Sequence, residues 1–84
     1  MATGTIRYWA GAKAAAGTES EPYAAGTLAE ALDAARAARG PEFARVISVC
    51  SFLIDGDPVG TRPHAEVPLP EGATVEVLPP FAGG

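Results

Sequence analysis

The sequence holds few of the residues from which active sites are usually built. It has one cysteine, Cys50, and one histidine, His64. A lone cysteine excludes an internal disulfide. Six Lys and Arg stand against ten Asp and Glu, for a net charge of −4. The basic residues form no cluster, which argues against nucleic acid and anionic membranes as partners. An acidic surface suits a partner with a basic groove. The longest nearly uncharged apolar run, 46–54, is far too short to span a bilayer, and no signal-peptide pattern opens the chain. Repeats and low-complexity tails are missing too. These absences predict a soluble cytoplasmic protein. At 84 residues it forms one small domain, 1–84, with one core and no room for a separate catalytic domain.

What is present is patterned. Residues 3–10 alternate in strand fashion, with Ile6, Tyr8 and Ala10 on one side and Thr5, Arg7 and Trp9 on the other. The small residues between Gly11 and Gly17 read as a short helical turn. Residues 18–23 read as a second strand, in which Pro22 lacks a ladder donor and marks an edge. Thr27-Leu28-Ala29-Glu30 is a capping box. Leu28, Ala31, Leu32, Ala35 and Ala38 then form one apolar stripe, and Gly40-Pro41 supplies a stop, so a helix is predicted over 28–39. Residues 46–54, rich in β-branched and aromatic side chains, read as a strand that ends in the turn Asp55-Gly56-Asp57. A short return over 58–62 follows. Next comes a loop punctuated by Pro63, Pro68 and Pro70, with a minimal strand around Val67. After the turn at Glu71-Gly72, residues 73–78 form the last strand. Val75 and Val77 face one way there, and Thr74, Glu76 and Leu78 the other. One helix with one apolar face covers one face of a mixed sheet. The fold class is therefore α+β, of β-grasp type, with the first and last strands as central neighbours.

Few residues offer chemistry. His64, between Pro63 and Ala65, reads as a loop histidine without a role, and Cys50 as an inert small hydrophobe in a strand. Asp55 and Asp57 read as turn formers, because a metal site needs more oxygen ligands. The segment from Gly11 to Gly17 with Lys13 is not a phosphate loop, which needs Lys directly after the second glycine. What remains is the C-terminus. Gly83-Gly84 makes a thin strip that can enter a narrow channel, and Pro79-Pro80 holds its stem extended. The alternative is a frayed end in a chain with ten glycines. A terminal carboxylate is ionised at neutral pH and must be activated, for example as an acyl-adenylate, before it can react. A sulfur nucleophile then converts the adenylate into a thiocarboxylate.

Trp9 and Leu78 follow from the strand pattern. Either they share the uncovered face of adjacent central strands and form a docking patch, or the faces are reversed and Trp9 is core. Phe81, past the two prolines, is either a docking knob or a clasp back on the sheet.

The chain resembles the MoaD/ThiS ubiquitin-like sulfur carriers, with the strongest likeness to MoaD, the small subunit of molybdopterin synthase. The likeness covers nearly the whole chain. It rests on Ile6-Arg7-Tyr8-Trp9-Ala10 with Lys13 and Gly17, on Thr27-Leu28, on Phe52-Leu53-Ile54-Asp55-Gly56, and above all on residues 71–84 ending in Pro79-Pro80-Phe81-Ala82-Gly83-Gly84. It implies a β-grasp domain with a flexible tail over 79–84. Gly84, with Gly83 beside it, would be adenylated at the expense of ATP by an E1-like enzyme of MoeB or ThiF type. Gly84 would then be thiocarboxylated and inserted into a large synthase subunit of MoaE type. The sulfur would go to a pyranopterin precursor to build the dithiolene of the molybdenum cofactor. No cofactor or metal is implied on the carrier itself. Partner contacts are implied at Trp9, Leu78, Pro79, Pro80, Phe81, Ala82 and Lys13. Lys13 stands where an arginine is common, Asp55 where an asparagine is common, and Leu78 where a phenylalanine is frequent. Ala73-Thr74 replaces a frequent acidic residue. Carriers for thiazole, cysteine or sulfur-containing natural products have similar tails, and a ubiquitin-like protein modifier would use the same activation chemistry.

Overall fold

Alternation of buried and exposed side chains sets the first strand, β1 (Ala2–Tyr8), in the computed structural model, which describes residues 1–80. Ile6 and Tyr8 are buried, while Thr5 and Arg7 are exposed. β2 (Ser20–Ala25) pairs antiparallel with β1 and forms one edge of the sheet. Pro22 thus sits where a missing N–H costs little. With β3 (Ser51–Ile54), β4 (Asp57–Pro58) and β5 (Thr74–Leu78), the five-stranded sheet has the order β2-β1-β5-β3-β4. β1 and β5 run parallel at its centre, with Ile6 opposite Val75 and Tyr8 opposite Val77, and β3 lies antiparallel to β5. This is the expected β-grasp arrangement, with the first and last strands as central neighbours.

The helix α2 (Leu28–Ala37) starts at the expected capping box. The Glu30 N–H donates to Thr27 Oγ1 at 3.3 Å, and Glu30 Oε1 accepts the Thr27 N–H at 3.1 Å. Leu28, Ala31, Leu32 and Ala35 are buried, and the two alanines let the helix lie close to the sheet. The helix stops at Ala37, short of the expected 39. There the Arg39 N–H reaches back to the Arg36 carbonyl and tightens the final turn.

Four local expectations need correction. Residues 46–54 are not one strand: α3 (Pro41–Ile47) takes the first part, and the strand is only Ser51–Ile54. Pro41 both follows one helix and occupies the first turn of the next, where its missing N–H is harmless. Phe43 and Ile47, four residues apart, put both side chains on the buried face of α3. Cys50 therefore lies in the connection before β3 and not within a strand. The small-residue stretch is a full helix, α1 (Ala10–Ala16), closed by Gly17 in the left-handed conformation (φ 77°). The return after β3 is two residues long, not five. Near Val67 there is a 3₁₀ turn, His64–Glu66, and a single bridge between Thr27 and Pro68 in place of a strand.

The cover of the sheet is shared by more than one helix. Phe43 of α3 meets Tyr8 edge-on, with ring centroids 5.7 Å apart. The Tyr8 hydroxyl donates to the Glu21 carboxylate, which also pairs with Arg39 at 2.9 Å. The Arg39 guanidinium in turn lies 4.7 Å from the Phe43 ring centroid. Among the described residues no buried side-chain nitrogen or oxygen lacks a partner. No helix among them is long and apolar enough to cross a membrane. The expected tail residues Phe81, Ala82, Gly83 and Gly84 lie outside the described residues.

Candidate functional site

β1 ends at Tyr8, and the next residue, Trp9, is extended (φ −116°, ψ 149°) and caps α1. Its backbone is fixed on both sides. The Trp9 N–H donates to the Val77 carbonyl of β5 at 3.1 Å, and the Trp9 carbonyl accepts from Ala12 and Lys13 at 2.9 and 3.2 Å. Because the Tyr8 side chain points into the core, alternation sends Trp9 to the opposite face, where it is 39% exposed against 1% for Tyr8. Ala10 adopts a positive φ of 47°, which turns the chain sharply from strand into helix beside the indole.

On β5 the same logic buries Val75 and Val77 and leaves Leu78 half-buried on the open face, opposite Ser51 of β3. Trp9 and Leu78 therefore share the uncovered face, and the reversed assignment with Trp9 as core is excluded. Between them lies a groove of about 580 Å³, lined by Trp9, Ala10, Gly11, Ser51, Leu78, Pro79 and Pro80. Its wall is almost wholly apolar. The two prolines line it, so the stem of the C-terminal segment is part of the groove itself.

Polar groups frame the indole. Trp9 Nε1–H donates to Glu76 Oε1 at 3.1 Å. The Arg7 guanidinium lies 4.5 Å from the indole centroid and pairs with Glu19 at 3.5 Å. Lys13 reaches the same Glu19 at 3.9 Å and does not line the groove. Arg7, Glu19 and Glu76 were not marked out by sequence. Arg7 and Trp9 share a strand face at i, i+2, but the placement of Glu76 beside them depends on the parallel register that pairs Arg7 with Glu76.

The other candidates separate from this site. His64 is half-buried and packs edge-on against Phe52, with centroids 5.0 Å apart. Burial raises the pKa of the Cys50 thiol, which also donates to the Val46 carbonyl at 3.2 Å, the opposite of the shift that activates a cysteine. Asp55 and Gly56 both have positive φ (49° and 89°), the signature of a tight hairpin turn, and Asp55 Oδ1 accepts the Thr74 N–H at 2.9 Å. Among the described residues no group of three or more His, Cys, Asp or Glu is placed to hold a metal ion. The described residues thus build an apolar groove at the root of the C-terminal segment. Phe81, Ala82, Gly83 and Gly84 themselves are outside the description.

A family model, the ThiS family, matches residues 6–84. Among solved structures, small archaeal modifier protein 1 from Methanosarcina acetivorans is similar with a TM-score of 0.85 at 22% identity, covering 100% of this chain and 98% of that one. Its counterpart from Haloferax volcanii has a TM-score of 0.79 at 21% identity, covering 98% and 99%. A complex of subunits 1 and 2 of the molybdopterin-converting factor from Helicobacter pylori gives a TM-score of 0.69 at 21% identity, covering 98% and 99%. At these identities the likeness is one of fold. No curated protein sequence matches.

Proposed function

The chain belongs to the ThiS family, and from that membership we propose that it is a sulfur carrier whose reactive group is the C-terminal carboxylate of Gly84. The observation that carries the reading is the apolar groove at the root of the tail, lined by Trp9, Leu78, Pro79 and Pro80. A partner seated on that groove receives the end of the chain directly. The four residues after Pro80 reach at most ~14 Å when fully extended. The partner's reaction centre must therefore lie within that distance of the groove.

The chemistry runs through two partners. In an E1-like enzyme of MoeB or ThiF type, the Gly84 carboxylate oxygen attacks the α-phosphorus of ATP and pyrophosphate leaves. A hydrosulfide-level nucleophile then attacks the acyl carbon and expels AMP, which leaves a thiocarboxylate. Glycine at both final positions lets the activating groups approach the backbone from all sides. The carrier binds no cofactor of its own, and ATP is consumed by the activating enzyme. The loaded tail then enters a large subunit of MoaE type and gives its sulfur to a pyranopterin precursor, in the cytoplasm. The Helicobacter pylori neighbour, a complex of two subunits of a molybdopterin-converting factor, supports the two-subunit reading. Carriers for other sulfur pathways would use the same groove and tail.

A second reading is favoured by the two small archaeal modifier neighbours. As a protein modifier, the chain would join Gly84 to target lysines by isopeptide bonds. Deletion of Gly84 is expected to abolish both pyrophosphate exchange by the host's activating enzyme and sulfur transfer. A ladder of larger conjugates in the host, lost on the same deletion, would select the modifier reading. A truncated protein that remains fully active would overturn both and leave a non-covalent binding module.

A further inference from the structure

The open face of the sheet carries a continuous chain of contacts that ends on the indole. Lys13 meets Glu19 at 3.9 Å, Glu19 meets Arg7 at 3.5 Å, Arg7 lies 4.5 Å from the Trp9 centroid, and Trp9 Nε1–H donates to Glu76 at 3.1 Å. These five residues come from α1, the segment between α1 and β2, the end of β1 and β5. A half-exposed tryptophan has little reason to be tied so thoroughly for stability alone. The core is complete on the other face, and the indole contributes nothing to it.

The arrangement has a directional consequence. The ring is held from its edge by a carboxylate and over its π-cloud by a guanidinium, the cation–π geometry that suits arginine. Both tethers stand on β1 and β5, which are each paired with a strand on both sides. Glu76 is the register partner of Arg7. Even so, Arg7 makes its ion pair with Glu19, and the Glu76 carboxylate turns to the indole. The indole is thus presented to the groove in one orientation before any partner arrives. Fixing an anchor in advance removes the ordering cost that an interface side chain otherwise bears on binding.

We infer that Arg7 and Glu76 are positioning residues that pre-set Trp9 as the anchor for the enzyme that activates the C-terminal carboxylate. The inference rests on the sulfur-carrier reading for the partner's identity. The fixing of the indole does not depend on it. Trp9 is the only tryptophan in the chain, so its fluorescence reports on this contact alone.

The test uses the full-length chain as wild type, E76A, E76Q and R7A, each checked for unchanged far-UV circular dichroism. Time-resolved anisotropy of Trp9 is expected to show little fast local motion in wild type and a clear increase in E76A and R7A. E76Q should lie near wild type, because its amide oxygen still accepts the indole N–H. Pyrophosphate exchange by the host's activating enzyme should then show KM for the carrier raised about 2- to 10-fold in E76A and R7A. The kcat should be unchanged and E76Q restored. Anisotropy identical in wild type and E76A would overturn the positioning itself. Freed indole motion with an unchanged KM would overturn its role in docking. A wild-type protein that supports no exchange at all would overturn the carrier reading, and the anisotropy would still decide whether Arg7 and Glu76 hold the ring.

Discussion

Trp9 shows how one residue's neighbours decide its use. The burial of Tyr8 forces the indole outward, and the main-chain bond from Trp9 to Val77 fixes its height on the sheet. A charge in the groove would meet an apolar wall, so Trp9→Asp is expected to weaken partner binding at least ~30-fold, the scale of an interface hot spot. Its melting temperature should stay within a few degrees of wild type, because no core contact is lost. Calorimetric titration with the activating enzyme, alongside a thermal melt, measures both; a variant that unfolds would contradict the face assignment. That Trp9 faces away from Tyr8, and Leu78 away from Val77, was legible in the sequence, because two-residue alternation depends only on their own strands. Which of the two faces stays open was not, because alternation alone does not say where the helices pack. The tethers on Trp9 were not, since pairing Glu76 with Arg7 requires the register between strands some 70 residues apart in the chain, which no local pattern encodes. The proposed reactive end, Gly83-Gly84, is a reading of the sequence and lies outside the described residues.

Among the elements, α2 was the most readable, because its start is written in short-range chemistry. Thr27 and Glu30 satisfy each other's amides, and Glu30 also accepts the Gly26 N–H at 2.8 Å. Thr27→Ala should therefore cost about 1 kcal/mol, read as a fall of roughly 4–8 °C in melting temperature for a domain of this size. An unchanged melt would mean that water replaces the cap at no cost. The α3 region was the least readable. Its β-branched residues, Val46 and Ile47, favour a strand by propensity, yet Phe43 and Ile47 at helical spacing drop into the core beside Tyr8 and tertiary packing wins. The signal was present as Pro41 at a helix start. The same proline also reads as the end of the preceding helix, and the sequence offers no means to choose between the two.

At the scale of the whole molecule, the pH response follows from groups that change ionisation on folding. Burial, then the hydrogen bond to Glu21, holds the Tyr8 hydroxyl in its neutral form well above the ordinary tyrosine range. Burial also raises Tyr23, with help from Asp55 and Glu71. A raised folded pKa contributes stability that is fully present below the unfolded value, near 10, and is lost as pH rises past it. The midpoint of urea unfolding should therefore fall steeply above about pH 10. Tyr8→Phe should lower the midpoint near neutral pH and flatten the alkaline fall. An alkaline limb of equal slope in that variant would mean that another group carries it. On the acid side, the hydrogen bonds from Thr3 lower the Glu71 pKa, a contribution present above the usual carboxylate range and lost as pH drops through it.

The open apolar face of the sheet reaches the end of β5, where Pro79 and Pro80 line the groove with Trp9 and Leu78. The measurement that tests the sulfur-carrier account most directly is the intact mass of the protein isolated from its host, and of the same protein after incubation with ATP, hydrosulfide and the host's activating enzyme, with fragmentation to locate any change. The account predicts a species in which one oxygen is replaced by sulfur, confined to Gly84. An unmodified carboxylate in every molecule under both conditions would contradict it.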